Sequence, residues 1–564
     1  MRNLATLVAA VLLLAVAPPA RAHGGQYRTP ALPPPPSGGV PGRTATDTGW
    51  EGWWWSHQDP VVDRARRRAA AADPALEATG LGPAGENLDG APAPPREPDP
   101  RLIFEREILP ILTRSLSEGE AEVRSAAAVA LGKMGYARSF LPLHEALRDE
   151  HPDVRDGAVL ALGMVGDPFA FEDLRGILFD PAVTERTRGF AALATGMAGG
   201  DGGVALLLSF LAPSADAARV GGIRRSEDLE CCAVVALGRT ASPVAAAWIR
   251  KELVAGARGA MPVRCCMAVA LGRIGDRESI PLLLQGLAHE DARMRQSAAV
   301  GLGMVATPAD RAAVEALAKS AREDQDAGAR TCALQALGAV GGPAAVETLR
   351  AAYREGRGGE QTAAAIALGC AGDLGVGPFL HRAFRDSGNS WSRGALALAL
   401  GAMGYRPASE DLRATALGKE DGTLRGYAVT ALGILGGAGA AEDLRRVLLE
   451  DRDPWLRCTA ARGLRLLKDR RAVAPLQALA TGKGPVHERA QSCYFLGILG
   501  GPEAMRTLLR VVDDRDEEMI VRMHAVAGLG VLADRSPVPI LSSLGADTNW
   551  LLPIAPLQEV QTFL

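Results

Sequence analysis

The sequence has few aromatic residues and almost no net charge. Phenylalanine, tryptophan and tyrosine together make up 4% of its 564 residues, and the formal net charge is −3. Because a nucleic-acid-binding surface needs a clear basic excess, nucleic acid is excluded as the main partner. No run of about 18 or more apolar residues follows the N-terminus, so we expect no transmembrane span in the mature chain.

What the sequence does contain is one stretch, 123–135, that recurs along most of its length. Each copy holds a Leu-Gly pair or a variant of it, and there are thirteen copies. The Leu position of these pairs falls at 131, 162, 195 (Thr), 237, 271, 302, 337, 368, 400, 432, 464, 496 and 529. Most gaps are 31 to 35 residues and one is 42, a period typical of a solenoid of paired helices.

Each copy predicts a pair of helices. Apolar residues of the first copy recur at the spacing of one helix face, namely Val123, Ala127, Leu131 and Met134. Glycines such as Gly166, Gly275 and Gly436 follow the pattern and are expected to end the helix in the left-handed conformation. A Leu-rich second helix follows, as at 280–287. Thirteen stacked pairs would extend over roughly 100–120 Å and present a long concave surface.

An arginine stands seven residues before the Leu position in eleven of the thirteen copies. The members of this arginine ladder are Arg124, Arg155, Arg188, Arg264, Arg295, Arg330, Arg393, Arg425, Arg457, Arg489 and Arg522, and Glu230 and Gln361 interrupt it. Acidic turn residues such as Asp149, Asp153 and Asp291 accompany most copies, which favours ion pairs that tie one layer to the next. The alternative is a basic ladder for an anionic ligand, which the slightly acidic chain disfavours.

The pattern DxxVRxxAAxALGxxGD resembles the HEAT repeat, in the short subtype found in phycobilisome-lyase-like proteins. The resemblance covers about residues 101–540. It implies an all-α, armadillo-like α-solenoid (superhelix) of about thirteen helical pairs, preceded by a largely disordered N-terminal segment. It implies little about function, because the family includes scaffolds, adaptors and a few enzymes.

The N-terminus has the pattern of an export signal. A basic start at Arg2 precedes an apolar run of 14 residues, 4–17, and 20–22 forms an A-x-A cleavage site. This arrangement predicts a signal peptide over 1–22, cleavage near Ala22, and a periplasmic or secreted mature protein. An uncleaved membrane anchor is the alternative, but the apolar run is short for a membrane span.

Residues 23–100 have the composition of a linker, with prolines at 33–36 and glycines at 38 and 39. Within this stretch, residues 50–57 hold four of the eight tryptophans, at positions 50, 53, 54 and 55. An exposed cluster of this kind is expected to bind something. The favoured interpretation is that it folds back onto its own solenoid. The alternative is docking to a partner protein or a glycan through Trp53, Trp54 and Trp55.

The 42-residue gap between the Leu positions at 195 and 237 contains an insertion of about ten residues, assigned to 213–227. Arg219, Arg224 and Arg225 lie in this insertion. Because insertions in repeat arrays become surface loops, often on the binding side, these arginines are candidate partner contacts. A merely tolerated insertion is the simpler alternative.

The chain ends in an apolar tail, 541–564, which is expected to cover the exposed face of the last layer. The eight cysteines include the pairs 231–232 and 265–266, which occupy equivalent positions in consecutive copies. Equivalent positions on stacked helices are ~8–10 Å apart, beyond the ~7 Å limit for bridging Cα atoms. We therefore expect the cysteines to be small buried residues without disulfides.

Three His-Glu pairs, at 144–145, 289–290 and 487–488, bear on catalysis. One HEAT-repeat enzyme family, deoxyhypusine hydroxylase, binds iron through repeated His-Glu motifs. Here the pairs stand 18, 13 and 9 residues before their Leu positions, so they are predicted to point in different directions. The sequence therefore predicts no metal site, no catalytic residue and no cofactor.

Together these patterns predict an exported protein–protein interaction scaffold that binds a protein partner along its solenoid surface without catalysis. One alternative is a HEAT-like enzyme of the lyase type, or a subunit of one, which a cluster of His, Asp and Glu in the folded groove would favour. A further alternative is a glycan- or surface-polymer-binding protein, which solvent-exposed tryptophans at 50–55 would favour.

Overall fold

The computed structural model describes residues 61, 62, 64, 65, 103–117, 119–212, 225–255, 260–356, 358–437, 439–534, 549 and 554–563. The predicted signal peptide, most of the 23–100 linker, the tryptophans at 50–55, and Arg219 and Arg224 lie outside these residues. The described part contains helices and no β-strand. Its 27 α-helices confirm the all-α prediction.

One series of helices forms an outer layer. These outer helices are α1 (Leu109–Ser117), α3 (Phe140–Ala146), α5 (Ala170–Phe179), α7 (Gly200–Leu211), α9 (Pro243–Ala255), α11 (Ile280–Leu287), α13 (Arg311–Glu323), α15 (Pro343–Glu355), α17 (Gly377–Asp386), α19 (Ser409–Leu417), α21 (Ala440–Glu450), α23 (Val473–Ala480) and α25 (Pro502–Asp513). A π-helical turn, Phe104–Ile108, precedes α1, and short 3-10 turns such as Arg277–Ser279 precede some of the others.

The helices that carry the Leu-Gly pairs alternate with them and form an inner layer. These inner helices are α2 (Ala121–Met134), α4 (Pro152–Val165), α6 (Glu185–Ala198), α8 (Glu227–Arg239), α10 (Met261–Ile274), α12 (Ala292–Val305), α14 (Ala327–Val340), α16 (Gly359–Ala371), α18 (Ser390–Met403), α20 (Gly422–Leu435), α22 (Pro454–Leu466), α24 (Val486–Leu499) and α26 (Met519–Leu532). Each inner helix packs against the outer helix that precedes it, and a tail helix, α27 (Ala555–Phe563), follows.

Local sequence accounts for the ends of the inner helices. Side chains cap several N-termini, as where Oδ1 of Asp291 accepts a hydrogen bond from the Arg293 N–H at 2.8 Å. At the other end, Gly166 and Gly275 have φ angles of 69° and 81°. Only glycine adopts these angles without strain, so the predicted left-handed helix ends are confirmed at these two positions. Gly436 also has a positive φ, 66°, but its ψ of −150° lies outside the left-handed helical region, so the prediction is wrong there.

The glycines of the Leu-Gly pairs let neighbouring inner helices approach closely. A Cβ added to Gly132 would lie 2.7 Å from the Cα of Ala161 on the next inner helix, and one added to Gly338 would lie 2.8 Å from the Cα of Ala367. Because real Cβ atoms do not come this close, a side chain at either position would push the helices apart. In α22, Arg465 replaces this glycine, so that joint lacks the close contact.

The row of inner helices closes on itself. The last one, α26, packs against the first, α2, and the last outer helix, α25, packs against α1. A Cβ added to Gly530 would lie 2.9 Å from the Cα of Ala130, which is the same register as at the internal joints. Two ion pairs cross the junction, Arg114–Asp513 at 2.5 Å and Arg522–Glu120 at 3.5 Å.

The solenoid is therefore a closed ring, and the expected extended stack of roughly 100–120 Å is wrong. Thirteen inner helices spaced ~8–10 Å apart form a ring about 33–41 Å across between opposite helix axes. Subtracting the width of the helices leaves an opening of about 20–30 Å. A curve that closes exposes no end layer, so the concave surface becomes the inner face of the ring. Among the described helices, none is long and apolar enough to cross a membrane.

Candidate interaction surfaces

Most ladder arginines bind carboxylates at the start of the next repeat. Nε and Nη2 of Arg124 donate to the two carboxylate oxygens of Asp149 at 2.8 and 2.9 Å. Arg295 binds Asp324 in the same way, with both distances 2.8 Å. The corresponding pairs elsewhere are Arg330–Glu360, Arg393–Glu420, Arg425–Asp451, Arg489–Glu517 and, across the ring closure, Arg522–Glu120. These contacts engage the guanidinium groups within the chain.

Other ladder arginines bind backbone carbonyls near the ends of outer helices. Arg155 donates to the carbonyl oxygens of Asp149 and Glu150 at 2.7 and 3.0 Å. Arg188 donates to Leu178 O at 3.0 Å and Arg457 to Leu448 O at 2.9 Å. These bonds satisfy carbonyls that a helix end leaves without a partner. Burial lowers the pKa of Arg188 and of Arg457. Nε of Arg264 is buried without a hydrogen-bond partner.

The paired carboxylates respond to these arginines. Burial by itself would raise the pKa of Asp149, but hydrogen bonds from the Arg124 guanidinium and the His151 N–H hold the pKa below its usual value. The same balance lowers the pKa of Asp324 beside Arg295. The ladder therefore stabilises the folded ring most when its carboxylates are ionised.

The described residues of the C-terminal tail, 549 and 554–563, lie on the inner face of the ring. A Cβ added to Gly189 of α6 would lie 2.9 Å from Pro556, and the Asp228 carboxylate of α8 accepts a hydrogen bond from the Ala555 N–H. Further along the ring, Nδ2 of Asn549 donates to Oγ of Ser297 of α12 at 3.1 Å. The expectation that the tail covers the last layer is therefore wrong for its described residues. Because α26 already packs against α2, no end layer remains to be covered.

A partly buried charge cluster anchors α27 to this face. Arg186 lies 3.0 Å from carboxylate oxygens of both Asp153 and Asp156, and 3.3 Å from Oε2 of Glu559 in the tail. Thr187 donates its hydroxyl to Asp156 at 2.6 Å. Burial raises the pKa of Asp156, although the Thr187 hydrogen bond and Arg186 oppose the rise. The tail thus supplies a third carboxylate to a guanidinium that already binds two carboxylates of the neighbouring inner helix, α4.

The candidate arginines of the insertion are only partly described. Arg225 donates to the carbonyl oxygens of Phe210 and Ala212 at 2.6 and 3.3 Å, and its guanidinium lies 5.9 Å from the Phe210 ring centroid. These contacts attach the end of the insertion to the C-terminus of α7. A role in partner binding for Arg219, Arg224 and Arg225 stays a prediction.

Sequence reasoning missed a set of exposed apolar side chains on one edge of the ring. They lie six to eleven residues after the Leu position, where each outer helix begins. The set comprises Leu141 (62% exposed), Phe169 (75%), Val244 (62%), Leu374 (54%) and Phe379 (49%). Leu141 and Phe169 belong to adjacent repeats, and the Phe140 and Phe169 ring centroids are 6.2 Å apart. We call Phe140, Leu141 and Phe169 the edge patch. Large exposed apolar side chains grouped in this way are typical of interaction sites.

The eight cysteines are free thiols, all of them buried. Cys231 and Cys266, which are offset by one position in neighbouring inner helices, are in hydrogen-bond contact, and this contact together with burial raises the pKa of Cys231. The expectation of small buried residues is confirmed for burial. The predicted separation of ~8–10 Å applies to equivalent positions, whereas Cys231 and Cys266 are offset by one position and therefore come closer.

The three His-Glu pairs occupy different settings. His144 on α3 makes a 2.7 Å contact with Asp173 on α5. His289, in the turn before α12, accepts a hydrogen bond from the Asp291 N–H at 3.0 Å, and His487 is exposed on α24. No group of three His, Cys, Asp or Glu side chains with metal-binding geometry occurs within the described ranges. A groove of about 380 Å³ between α23 and α25 is lined by Gln477, Glu503, Arg506, Thr507, Leu509 and Arg510.

A repeat ring whose layers are joined by glycine contacts and arginine ion pairs defines the protein as an α-solenoid of the HEAT-like class. The family model for HEAT repeats matches residues 108–194, 251–327, 377–457 and 442–530, together more than half of the chain. The protein therefore belongs to the HEAT repeat family. No curated protein matches it.

Several solved structures are similar to parts of the chain. The complex of CpcE and CpcF of phycocyanin lyase from Nostoc sp. PCC7120 matches with 23% identity over 41% of this chain and 92% of that one, with a TM-score of 0.29. Human deoxyhypusine hydroxylase matches with 17% identity over 53% and 96%, and a TM-score of 0.23. Importin beta matches with 13% identity over 75% and 74%, and a TM-score of 0.35. At these TM-scores the matches carry no argument about function.

Proposed function

We propose that the protein is an exported protein–protein interaction scaffold whose partner binds the edge and outer surface of the ring. The observation that supports this most directly is the edge patch. Phe169 and Leu141 are 75% and 62% exposed, whereas most large apolar side chains of the described residues are buried. Exposing them costs free energy in water, which a protein partner would recover by covering them.

Ring closure supports an outer rather than an inner binding surface. In an open solenoid the concave face is the usual binding face. Here that face points into the opening and carries the tail residues Asn549 and Pro556. The outer helices and the edges at which they begin and end are the surfaces that remain broadly available to a folded partner.

Export is the second part of the proposal. It rests on the N-terminal pattern, with a basic start, an apolar run over 4–17 and the A-x-A site at 20–22. Cell fractionation with N-terminal sequencing of the mature protein tests it. A mature chain that begins just after Ala22 in the periplasm or medium is the expected result. A cytoplasmic chain that retains Met1 would contradict it.

Partner binding is tested by cross-linking and affinity capture from the native envelope, with the double variant Leu141→Asp/Phe169→Asp as the probe of the edge patch. Val254→Asp is the matched control, because Val254 is 71% exposed but lies at the last turn of α9, on the opposite edge. We expect one defined protein to be captured by the wild type and by Val254→Asp and lost with the double variant. Equal capture by all three, or no capture at all, would overturn the proposal.

The enzyme and glycan alternatives gain no specific support from the described residues. The solved structures similar to the chain include proteins named as a lyase and a hydroxylase. The side chains that line the groove between α23 and α25 include no histidine or cysteine. Repeat architecture by itself does not decide between these functions.

A further inference from the structure

The inner face of the ring is apolar and buried. We call the residues two positions before each Leu position the inner row. Two of them, Leu193 and Val300, follow the tail-contacting Gly189 and Gln296 by four residues and therefore lie on the same face of their helices. The other members occupy the equivalent position in their own helices. In α2 to α18 these residues are Val129, Leu160, Leu193, Val235, Val269, Val300, Gln335, Ile366 and Leu398, all at most 7% exposed. Eight of the nine are aliphatic. A water-filled opening about 20–30 Å wide would leave such a row exposed.

The tail covers part of this row. Its described residues contact α6, α8 and α12, three of the nine helices concerned. Apolar tail residues such as Ile554, Leu557 and Val560 are themselves at most 7% exposed. The described tail residues therefore leave the rest of the row to be covered by a further apolar stretch of the chain.

The N-terminal segment contacts the ring a few residues after the tryptophan cluster. Val61 and Ala65 are 2% and 1% exposed, and Val61 belongs to the same continuous hydrophobic core as the inner helices. Trp50 lies eleven residues before Val61, a span of at most about 40 Å for an extended chain. Trp50 can therefore reach across the opening from the point at which Val61 meets the ring, and the tryptophans at 53–55, six to eight residues before Val61, can reach about 20–29 Å into it.

The apolar character of residues 50–57 also matches that of the inner row. Four tryptophans within 50–57 carry a large apolar area that is unfavourable in water. The inner row offers an aliphatic wall in α2 to α18 that Gln335 interrupts. In α20 to α26 the row changes to Thr430, Arg462, Tyr494 and Ala527, which are only partly buried. The aliphatic side of the ring is thus the side expected to receive the tryptophans.

We propose that residues 50–57 dock on the inner row of α2 to α18, beside the C-terminal tail, so that the two ends of the chain together plug the ring. This goes beyond the partner-binding function, since it assigns the inner face to an intramolecular ligand. It also makes the tryptophans part of the fold and removes them from glycan or partner recognition.

Site-specific photo-cross-linking in the full chain tests the proposal. Trp54→p-benzoylphenylalanine should, on irradiation, form links within one chain to peptides of the inner helices between α2 and α18, identified by mass spectrometry. Pro35→p-benzoylphenylalanine is the matched control, since it lies in the same N-terminal stretch but outside the tryptophan cluster, and should give few or no such links. Links from position 54 to outer helices, links between two chains, or no links would overturn the proposal.

A second measurement does not depend on the cross-linker. In the full-length variant Trp53→Ala/Trp54→Ala/Trp55→Ala, uncovering the inner row should raise fluorescence of the dye 1-anilinonaphthalene-8-sulfonate several-fold. Unchanged dye binding would refute intramolecular docking. So would binding of the wild type to an immobilised polysaccharide if the triple variant no longer bound it. Capture of a partner through the edge patch is scored separately, so either proposal can fail while the other stands.

Discussion

Ring closure predicts that a bulky side chain at Gly530 destabilises the protein as much as one at an internal joint. A Cβ at Gly530 would lie 2.9 Å from both Cα and Cβ of Ala130, and a Cβ at Gly401 would lie 2.9 Å from the same two atoms of Ala431. Gly401 is therefore a matched control whose joint connects neighbouring repeats of the chain. Overpacking costs about 1–3 kcal/mol, so Gly530→Val and Gly401→Val should lower the free energy of unfolding by similar amounts.

The measurement is the urea unfolding midpoint of each variant, followed by circular dichroism. The change in helix propensity from glycine to valine is the same at both positions, so a difference between the variants reports the contact across each joint. If α26 did not meet α2, Gly530 would face water, and its substitution would change stability by no more than about 0.5 kcal/mol. A harmless Gly530→Val beside a destabilising Gly401→Val would refute closure.

Cross-linking of the two outer helices at the junction gives an independent readout. Nη2 of Arg114 lies 2.5 Å from Oδ1 of Asp513, so Arg114→Cys/Asp513→Cys should be joined rapidly by a short bis-maleimide. The native cysteines are all buried and add little background. The exposed Arg382 lies on α17, away from the junction, so Arg114→Cys/Arg382→Cys should not be joined. Equal reaction of both pairs would contradict the ring.

Four further predictions follow from the ladder and the buried groups. Arg124→Met should cost about 1–3 kcal/mol because it leaves Asp149 without its partner, whereas Arg114→Met, at a side chain 47% exposed, should have little effect. The pKa of Asp149 is lowered in the folded state, so its contribution to stability is present above about pH 4 and is lost as the pH falls through the folded-state pKa. Stability should therefore fall less steeply below about pH 4 in Arg124→Met than in the wild type, and an equally steep fall would contradict this. Burial lowers the pKa of His524, so folding favours the neutral ring, and acidification below about pH 6.5 should lower the thermal midpoint less in His524→Gln than in the wild type. Burial raises the pKa of Cys265 to about 11, and thiol reagents at about pH 8 should label the native protein slowly and the unfolded protein completely; fast native labelling would argue against the buried setting.

Features that depend on near neighbours in the chain could be predicted from the sequence. The helical pairs, the left-handed glycines at 166 and 275, and the burial of the cysteines follow from local spacing and composition. The edge patch was missed because single apolar residues such as Leu141 and Phe169 in turn regions give no periodic signal. Exposure of such a residue becomes visible only when its neighbours in space are known.

Closure could not be predicted, because it depends on a small rotation added at every joint. Thirteen repeats close when each turns by about 28°, and an error of only ~3° per joint would leave a gap of ~40° at the end. The rotation depends on how far inner helices approach relative to outer helices. The difference in spacing between inner and outer helices depends on contacts such as Gly132 with Ala161 and on the side chains between outer helices. It is too small to be predicted from sequence patterns.

The tail illustrates the same division. Its apolar composition alone implied that it must be covered, since exposed apolar area is unfavourable in water. Its position depends on closure of the ring. A closed ring has no end layer to cover, and the apolar surface that the tail contacts is the inner face near Arg186 and Gly189. The sequence by itself thus determined the repeat, its helices and their apolar faces, which are local properties. Only the tertiary structure decided which surfaces meet, because that depends on curvature summed over the whole chain.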